Sequence, residues 1–180
     1  RTEQALTPRK IVVISNHVPR ELREFAELAK QNGAQVEFIG YFDRPTLVDD
    51  ELLSGYDLVI TIGKTIQYCF ALKIPVYCYD HFGGPGYIDR DNYEFTRVNN
   101  FSGRLSEIKR DANGLCSDIF DHYQRNLENL DFLYAESRQY FCLESNIQRV
   151  VQDFSKIPVT NIQEFREKNF LSEKIYDLYL

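Results

Sequence analysis

Residues 56–80 read YDLVITIGKTIQYCFALKIPVYCYD, and their order of apolar and polar segments decides the fold. The β-branched run over 56–63 predicts a strand, and the segment 64–73 predicts a short helix. A second apolar run over 74–80 predicts another strand. Two strands joined by one short helix form the unit from which parallel sheets are built. The stretch therefore predicts a β-α-β unit of an α/β domain.

The same alternation extends toward the amino terminus. KIVVISN at 10–16 is a continuous β-branched run, as expected for a strand buried on both faces of a parallel sheet. Apolar residues recur at helical spacing over 17–33, where a glycine ends the helix. AQVEFIGYF at 34–42 predicts the second strand, and 44–55 holds a short helix with an acidic start. The alternation predicts a Rossmann-like open parallel sheet with helices on both faces.

A helical region follows the predicted sheet. The segment 89–104 reads as a loop with one helical turn, and 105–155 is strongly helical. Interruptions are expected near residues 113–114 and around 130–142. The predicted organisation is a linker (1–9), a Rossmann-like domain with its packed helices (10–157) and a C-terminal helical extension (158–180).

Composition excludes several classes of function. The apolar fraction of 43% is that of a globular protein, and the net charge of -6 argues against a nucleic-acid-binding surface. No apolar run approaches the roughly 18–20 residues that cross a bilayer. The cysteines are widely separated, which disfavours a zinc site and predicts buried reduced thiols and a cytoplasmic location. They are Cys69, Cys78, Cys116 and Cys142.

The first residue is Arg1, and the chain contains no methionine. A translated chain begins with methionine, which is normally removed only before small residues. We therefore expect a piece of a longer protein, whose other half would carry part of an active site.

Ligands of open parallel sheets bind outside the carboxyl ends of the strands. The loop after the first predicted strand contains Asn16 and His17, which we take as candidate binding residues. The other loops selected by this rule are 41–43, 63–65 and 80–87.

The segment TIGKTIQ at 61–67 predicts a helix start that is suited to phosphate. Gly63 would allow close backbone approach, and Lys64 and Thr65 open the helix, whose N–H groups and dipole attract anions. A Walker A loop is excluded because Leu58 stands where that motif needs glycine. A plain helix cap with a surface lysine is the alternative.

DHFGGPG at 80–86 cannot continue a helix or a central strand, and it predicts a shaped loop at a strand end. Glycine permits close approach to a ligand, so Gly83, Gly84 and Gly86 are candidate binding residues, with His81 beside them. A tight structural turn is the alternative, and His81 would then be a hydrogen-bonded structural residue.

The segment NNFSGR at 99–104 is a second candidate for anion binding. Ser102 and Arg104 would direct a backbone amide and a guanidinium at one anion. A surface turn is the alternative.

The stretch 56–87 resembles the C-terminal nucleotide-sugar-binding domain of glycosyltransferases of the GT-B fold. In that family a strand with the pattern aDvv, a helix with the pattern EAmA.G.P and a strand with the pattern PVi..D follow each other, as YDLVIT, GKTIQYCFALKIP and PVYCYDHFGG do here. The resemblance covers residues 10–105. Gln67 or Tyr68 stands where retaining families often have a glutamate, and Lys73 replaces the usual glycine.

The resemblance implies that the chain binds a nucleotide-diphosphate sugar, without a metal or cofactor, for transfer of the sugar to a glycan or another acceptor. The 63–65 turn and the 83–86 loop would flank the diphosphate. Asn16 and His17 would face the same cleft, and Arg104 would neutralise charge on the leaving group. An N-terminal acceptor-binding domain outside this sequence would supply the catalytic base and any peripheral membrane association, so the fragment would be inactive alone.

Two other functions remain open at this point. One is a nucleotide-sugar epimerase domain of the same fold. The other is a non-catalytic α/β interaction module, of which a phosphoacceptor receiver is one kind. A receiver requires acidic residues after its first strand, where this chain has Ser15, Asn16 and His17.

Overall fold

The computed structural model describes residues 6–106 and 108–156. It contains a five-stranded sheet in the order β2-β1-β3-β4-β5. Strands β1 to β4 are parallel, and β5 runs antiparallel to β4. This is the predicted Rossmann-like α/β class, with one additional strand. The strands are β1 (Lys10–Ile14), β2 (Gln35–Ile39), β3 (Leu58–Thr61), β4 (Val76–Asp80) and β5 (Gly83–Tyr87).

Helices connect the strands and form the C-terminal region. They are α1 (Arg20–Gln31), α2 (Asp50–Leu53), α3 (Lys64–Leu72), α4 (Tyr93–Val98), a 3-10 helix (Gly103–Leu105), α5 (Ala112–Leu127), α6 (Leu130–Tyr140) and α7 (Leu143–Ser155).

The chain divides into two compact units between Gln139 and Tyr140. The sheet and helices α1 to α5 belong to the first unit, and α7 belongs to the second. The predicted extension over 158–180 and residues 1–5 of the predicted linker lie outside the described residues.

One face of the sheet carries the main hydrophobic core. Side chains alternate between the faces of a strand, so Ile11 and Val13 point to the same side. Helices α1 and α5 cover this side. The core side chains of these elements include Leu22, Phe25, Ala29, Leu115 and Ile119 from the helices, and Leu58, Ile60, Tyr77 and Tyr79 from the strands.

The opposite face packs against α3 and the chain around Phe101. Ile66, Cys69 and Phe70 of α3 are fully buried, and the rings of Phe70 and Phe101 lie 5.5 Å apart. The Cys78 thiol on β4 donates to the Phe101 carbonyl at 3.4 Å. Helices therefore flank both faces, as the sequence predicts.

The prediction of a loop at 80–86 is wrong, because Gly83–Tyr87 forms strand β5. Gly86 lies opposite Cys78 and Gly83 opposite Asp80, with an irregular register between the two pairs. Proline in a sheet is confined to edge strands and bulges, and β5 is an edge strand with such an irregularity. Pro85 therefore excludes a central strand and leaves an edge strand possible.

The break predicted near 113–114 lies slightly earlier in the chain, because the 3-10 helix ends at Leu105 and α5 begins at Ala112. Asp111 caps α5, and its Oδ1 accepts from the Gly114 N–H at 2.7 Å, so this glycine lies in the first helical turn. The interruption expected around 130–142 is confirmed, because α6 ends at Tyr140 and α7 begins at Leu143. No helix among the described residues is long and apolar enough to cross a membrane.

Candidate ligand cleft

A cleft of about 650 Å³ lies at the carboxyl ends of β1 to β4. Strand β1 has β2 on one side and β3 on the other, so the connections leave it in opposite directions. This is the switch point at which open α/β sheets bind ligands. The volume falls in the usual range for small-molecule sites, about 300–1,000 Å³.

The loops after β1 and β2 form one wall and are tied together. The Asn16 Oδ1 accepts from the Tyr41 N–H at 2.9 Å, and the His17 N–H donates to the Ser15 Oγ at 3.1 Å. A Cβ on Gly40 would lie 2.1 Å from the Ser15 carbonyl oxygen, so only glycine allows the loops to approach this closely. These contacts fix the backbone from which His17 projects.

A cluster of basic and aromatic side chains lines another part of the cleft. The His81 ring lies 5.4 Å from the His17 ring and 3.8 Å from the Phe82 ring. The Arg104 guanidinium lies 4.4 Å from the centre of the Phe82 ring, in a cation–π contact. Arg104 is exposed, so its charge remains available to a ligand. The cluster is therefore suited to an anion.

The carboxylate of Asp80 contacts two residues of this cluster, Phe82 and His81. Its side chain is buried, and its Oδ1 accepts from the Phe82 N–H at 2.8 Å. Its Oδ2 lies 3.4 Å from the His81 Nδ1, which is itself buried and has no hydrogen-bond partner within the described ranges.

Helix α3 begins beside the cleft. Its N-cap is Gly63 at φ 67°, and no side chain caps it. The Gly63 N–H donates to the Phe101 carbonyl at 3.0 Å, which fixes the turn. Thr65, in the first turn of α3, lines the cleft. A helix start without a side-chain cap leaves N–H groups and the positive end of the dipole for an anion.

The structure brings part of the predicted site to the cleft. Its lining includes Asn16, His17, Thr65, His81 and Arg104. The lining does not include Gly63, Lys64, Gly83, Gly84, Gly86 or Ser102.

The residues outside the lining make other contacts. The Lys64 Nζ lies 5.6 Å from the centre of the Tyr68 ring, in a cation–π contact. The Ser102 Oγ accepts from the Arg104 N–H at 3.3 Å and so caps the 3-10 helix. Ser102 thus supports the turn that carries Arg104.

The glycines of β5 approach protein atoms. A Cβ on Gly84 would lie 1.9 Å from the Cys78 carbonyl oxygen, and a Cβ on Gly83 would lie 2.3 Å from the Ile108 carbonyl oxygen. A Cβ on Gly103 would lie 1.9 Å from the Gly83 carbonyl oxygen. The 3-10 helix therefore rests directly on β5, and this packing holds Arg104 beside Phe82.

Some cleft residues have no local sequence signal. Thr46 and Val48 line the cleft from the connection between β2 and α2, where the sequence indicates only a short helix. Asp80 and Phe82 also line it, and both lie in the segment 80–87 that the strand-end rule selects, although they are not among the candidate binding residues.

No group of three or more His, Cys, Asp or Glu side chains in the described part of the chain is placed to hold a metal ion. Cys69 and Cys78 are buried, whereas Cys116 and Cys142 are partly exposed. Burial raises the pKa of the Cys78 thiol to about 12, with a smaller contribution from the Asp80 carboxylate. Cys78 is therefore a protonated core residue below the cleft.

Comparison of the chain with protein-family models, with curated proteins and with solved structures finds no match.

Proposed function

We propose that this chain binds a nucleotide-diphosphate sugar in the cleft, as the donor-binding half of a glycosyltransferase. The observation that carries the proposal is the convergence of His17, His81 and Arg104 at the switch point where α3 begins. A diphosphate brings negative charge on two adjacent groups, and the cleft offers two kinds of partner for it. These are charged side chains and the N–H groups of a helix start.

The loops after β1 and β2 offer a surface for the base. Tyr41 and Phe42 are 72% and 73% exposed, and their rings meet edge-to-face at 5.1 Å. The Phe42 ring lies 6.4 Å from the His17 ring. Exposed aromatic rings beside an anion site are suited to stacking with a nucleobase. A nucleotide bound in this way would have its base against Phe42 and its diphosphate toward Arg104.

The direct test is calorimetric titration of the full chain with UDP, GDP, ADP, CDP and dTDP. We expect saturable binding of at least one nucleotide, and Arg104→Ala should weaken it about tenfold by removing a charge-assisted hydrogen bond. His17→Ala should weaken it about threefold, as expected for one weaker contact. Lys30→Ala removes an exposed cation from the last turn of α1, outside the cleft lining, and should leave affinity unchanged.

Absence of binding for all these nucleotides at millimolar concentration would contradict the proposal. Equal weakening by Lys30→Ala and Arg104→Ala would also contradict it, since nonspecific charge would then explain the binding. A non-catalytic interaction module predicts no nucleotide affinity and an effect of Arg104→Ala on partner binding alone.

A further inference from the structure

The two ring nitrogens of His81 have different surroundings. The Nδ1 is buried and lies 3.4 Å from the Oδ2 of Asp80. The Nε2 is not buried, and it forms no hydrogen bond with any residue in the described part of the chain. The side chain as a whole is 39% exposed and lines the cleft. The Nε2 is therefore the nitrogen that a ligand in the cleft can reach.

The Asp80 carboxylate is held in place beside the Nδ1. Its side chain is only 2% exposed, and its Oδ1 accepts from the Phe82 N–H at 2.8 Å. A Cβ on Gly103 would lie 3.1 Å from the same oxygen, so the 3-10 helix packs closely against the carboxylate. The Oδ1 is thus engaged by the turn that follows β4, and the Oδ2 is the oxygen that faces the imidazole.

This arrangement determines which nitrogen of a neutral His81 ring carries the proton. A carboxylate accepts hydrogen bonds and donates none, whereas a neutral imidazole has one N–H and one lone pair. A lone pair on the buried Nδ1 would face the lone pairs of the Oδ2, and a hydrogen bond left unmade in a buried place is costly. A proton on the Nδ1 removes this conflict. The Nε2 then presents its lone pair to the cleft, since the partner of one nitrogen sets the state of the other.

The neighbours of His81 supply the donors that the Nε2 lacks. The Phe82 ring contacts the His81 ring at 3.8 Å and the Arg104 guanidinium at 4.4 Å, so both cleft residues share one aromatic support. The His17 ring meets the His81 ring edge-to-face at 5.4 Å. A guanidinium binds phosphate oxygens, whereas a lone pair repels them and attracts a hydrogen-bond donor. Arg104 and His81 are thus suited to different groups of one ligand.

We propose that His81, held by Asp80 with its proton on the Nδ1, accepts a hydrogen bond at the Nε2 from a hydroxyl group of the ligand in the cleft. The inference rests on the function proposed above. In a nucleotide-diphosphate sugar, the donors adjacent to the phosphates are the hydroxyls of the ribose and of the transferred sugar. Arg104 binds the phosphate, and His81 selects a hydroxyl beside it. Asp80 is a positioning residue, because it acts on the ligand only through the ring.

The first measurement needs no ligand. Long-range proton–nitrogen correlation spectra of the full chain with isotope-labelled histidine identify the protonated nitrogen of each ring, at about pH 9, where histidine side chains are generally neutral. The chain has three histidines, so three rings are compared. His81 should carry its proton on the Nδ1. In Asp80→Asn the proton should move to the Nε2, because an amide can donate to the Nδ1 while it still accepts from the Phe82 N–H.

His122 is the internal control for these spectra. Its Nδ1 lies 3.0 Å from the Asp118 Oδ1, so it should carry its proton on the Nδ1 in wild type and in Asp80→Asn alike. A wild-type His81 with its proton on the Nε2 would overturn the proposal whether or not a nucleotide binds. An Asp80→Asn protein that keeps the wild-type state of His81 would overturn the role of Asp80.

The second measurement is an affinity ratio between ligands with and without the hydroxyl. Calorimetry compares UDP with its analogues that lack one ribose hydroxyl, and UDP-glucose with UDP; the corresponding compounds replace them if another nucleotide binds. We expect about a tenfold preference for the hydroxyl-bearing ligand in one of these arms, the contribution of one hydrogen bond. A preference in the ribose arm identifies the nucleotide as the source of the hydroxyl, and a preference in the other arm identifies the transferred sugar.

Substitutions of His81 decide whether this preference comes from the Nε2. His81→Phe keeps a ring without nitrogens and His81→Ala removes the ring, so each should reduce the ratio to about one. If either variant does not fold, the other provides the result. His122→Gln, outside the cleft lining, is the matched control and should leave the ratio unchanged.

A ratio that the His81 variants leave unchanged in both arms would overturn the proposal. Absence of binding for every nucleotide would overturn both the proposed function and the hydroxyl contact. The spectra distinguish these failures, since a proton on the Nδ1 of His81 would then show that the ring is oriented as described and that the ligand is wrong.

Discussion

Gly63, beside the cleft, and Gly84, in β5 at the edge of the sheet, use the absence of a side chain in opposite ways. At the cleft, Gly63 has φ 67°, and a Cβ on it would meet no atom within 4 Å. At the β5 edge, a Cβ on Gly84 would lie 1.9 Å from the Cys78 carbonyl oxygen. Glycine shapes a turn at position 63 and allows two backbones to touch at position 84, as it also does at Gly40 in the cleft. A glycine-rich segment after a strand is therefore evidence of close backbone approach, and burial decides whether a ligand or the protein approaches.

The largest effect that separates the two regions is expected for Gly84→Ala. The new methyl group would collide with the backbone of β4, which cannot move without disturbing the sheet. We expect a loss of about 3 kcal/mol or more in the free energy of unfolding, at the upper end of overpacking effects. Urea denaturation, followed by circular dichroism, measures it.

Gly55→Ala is the matched control. A Cβ there would lie 3.3 Å from the Leu52 carbonyl oxygen, which a small adjustment accommodates. The expected change is within about 1 kcal/mol. If both variants lose the same free energy, then close packing is not the reason for glycine at position 84.

A smaller effect is expected for Asp118→Asn, which tests how the β5 edge is anchored, because Arg110 donates to the Gly84 carbonyl of β5 at 2.9 Å. The Asp118 carboxylate joins Tyr77 of β4 and Arg110 to α5, and the carboxylate and guanidinium are 24% and 20% exposed. Loss of the charge leaves Arg110 partly buried without its counterion, at a cost of about 2 kcal/mol. Thermal and urea denaturation both measure this loss.

Asp121→Asn provides the comparison on the same helix. Asp121 is exposed and accepts only from the Ser117 Oγ, at 2.7 Å, among the described contacts. Its substitution should change stability by no more than about 0.5 kcal/mol. A loss at Asp118 as small as this would mean that the ion pair does not anchor β5.

The sequence predicts the parallel strands because β1, β3 and β4 are buried on both faces and so appear as continuous apolar runs. It does not predict β5, because GGPG has almost no side chains with which to show a pattern. The pairing of β5 also depends on distant chain, since the Gly84 N–H donates to the Ile108 carbonyl at 2.9 Å. Local patterns carry no information about such contacts.

The candidate site also contains some residues that the sequence predicts and others that only the structure identifies. Asn16, His17 and His81 follow predicted strands, so the strand-end rule finds them. Thr46 and Val48 reach the cleft through the irregular connection before α2, whose path no periodicity describes. Polar residues at strand ends are therefore predictable, whereas residues brought in by an irregular loop require the structure.

A pH-dependent effect of intermediate size is expected at the β5 edge. Burial raises the pKa of Tyr77 above its ordinary value of 10.0, and the hydrogen bond to Asp118 raises it further. Burial raises the pKa values of Tyr87 and Tyr123 as well. Above pH 10 the unfolded chain releases protons that the folded chain retains. Stability that is fully present below pH 10 is therefore lost as the pH rises further.

Each retained proton contributes a slope of about 1.4 kcal/mol per pH unit in this range. Tyr77→Phe should reduce the slope of unfolding free energy against pH above pH 10 by one such contribution. Tyr41→Phe, which alters a ring that is 72% exposed at the cleft, should leave the slope unchanged. Identical slopes in wild type and Tyr77→Phe would show that this hydroxyl does not hold its proton in the folded state.

The smallest effect on stability is expected for His17→Ala. His17 is exposed, and its ring contacts are with Phe42 at 6.4 Å and His81 at 5.4 Å, both at the surface of the cleft. Substitutions of exposed residues usually change the free energy of unfolding by less than about 0.5 kcal/mol. Urea denaturation at neutral pH should therefore find the wild-type midpoint, while calorimetry with the nucleotide that binds finds weaker affinity.

This combination distinguishes a binding surface from a structural one. A side chain that is retained for packing costs stability when it is removed, as at the β5 edge, and a side chain that is retained for a ligand costs affinity. If His17→Ala lowered stability by more than about 1 kcal/mol, the paired rings of His17 and His81 would belong to the fold. His17 would then be a structural residue like those of the β5 edge, and the distinction between a binding surface and a structural one would not hold for it.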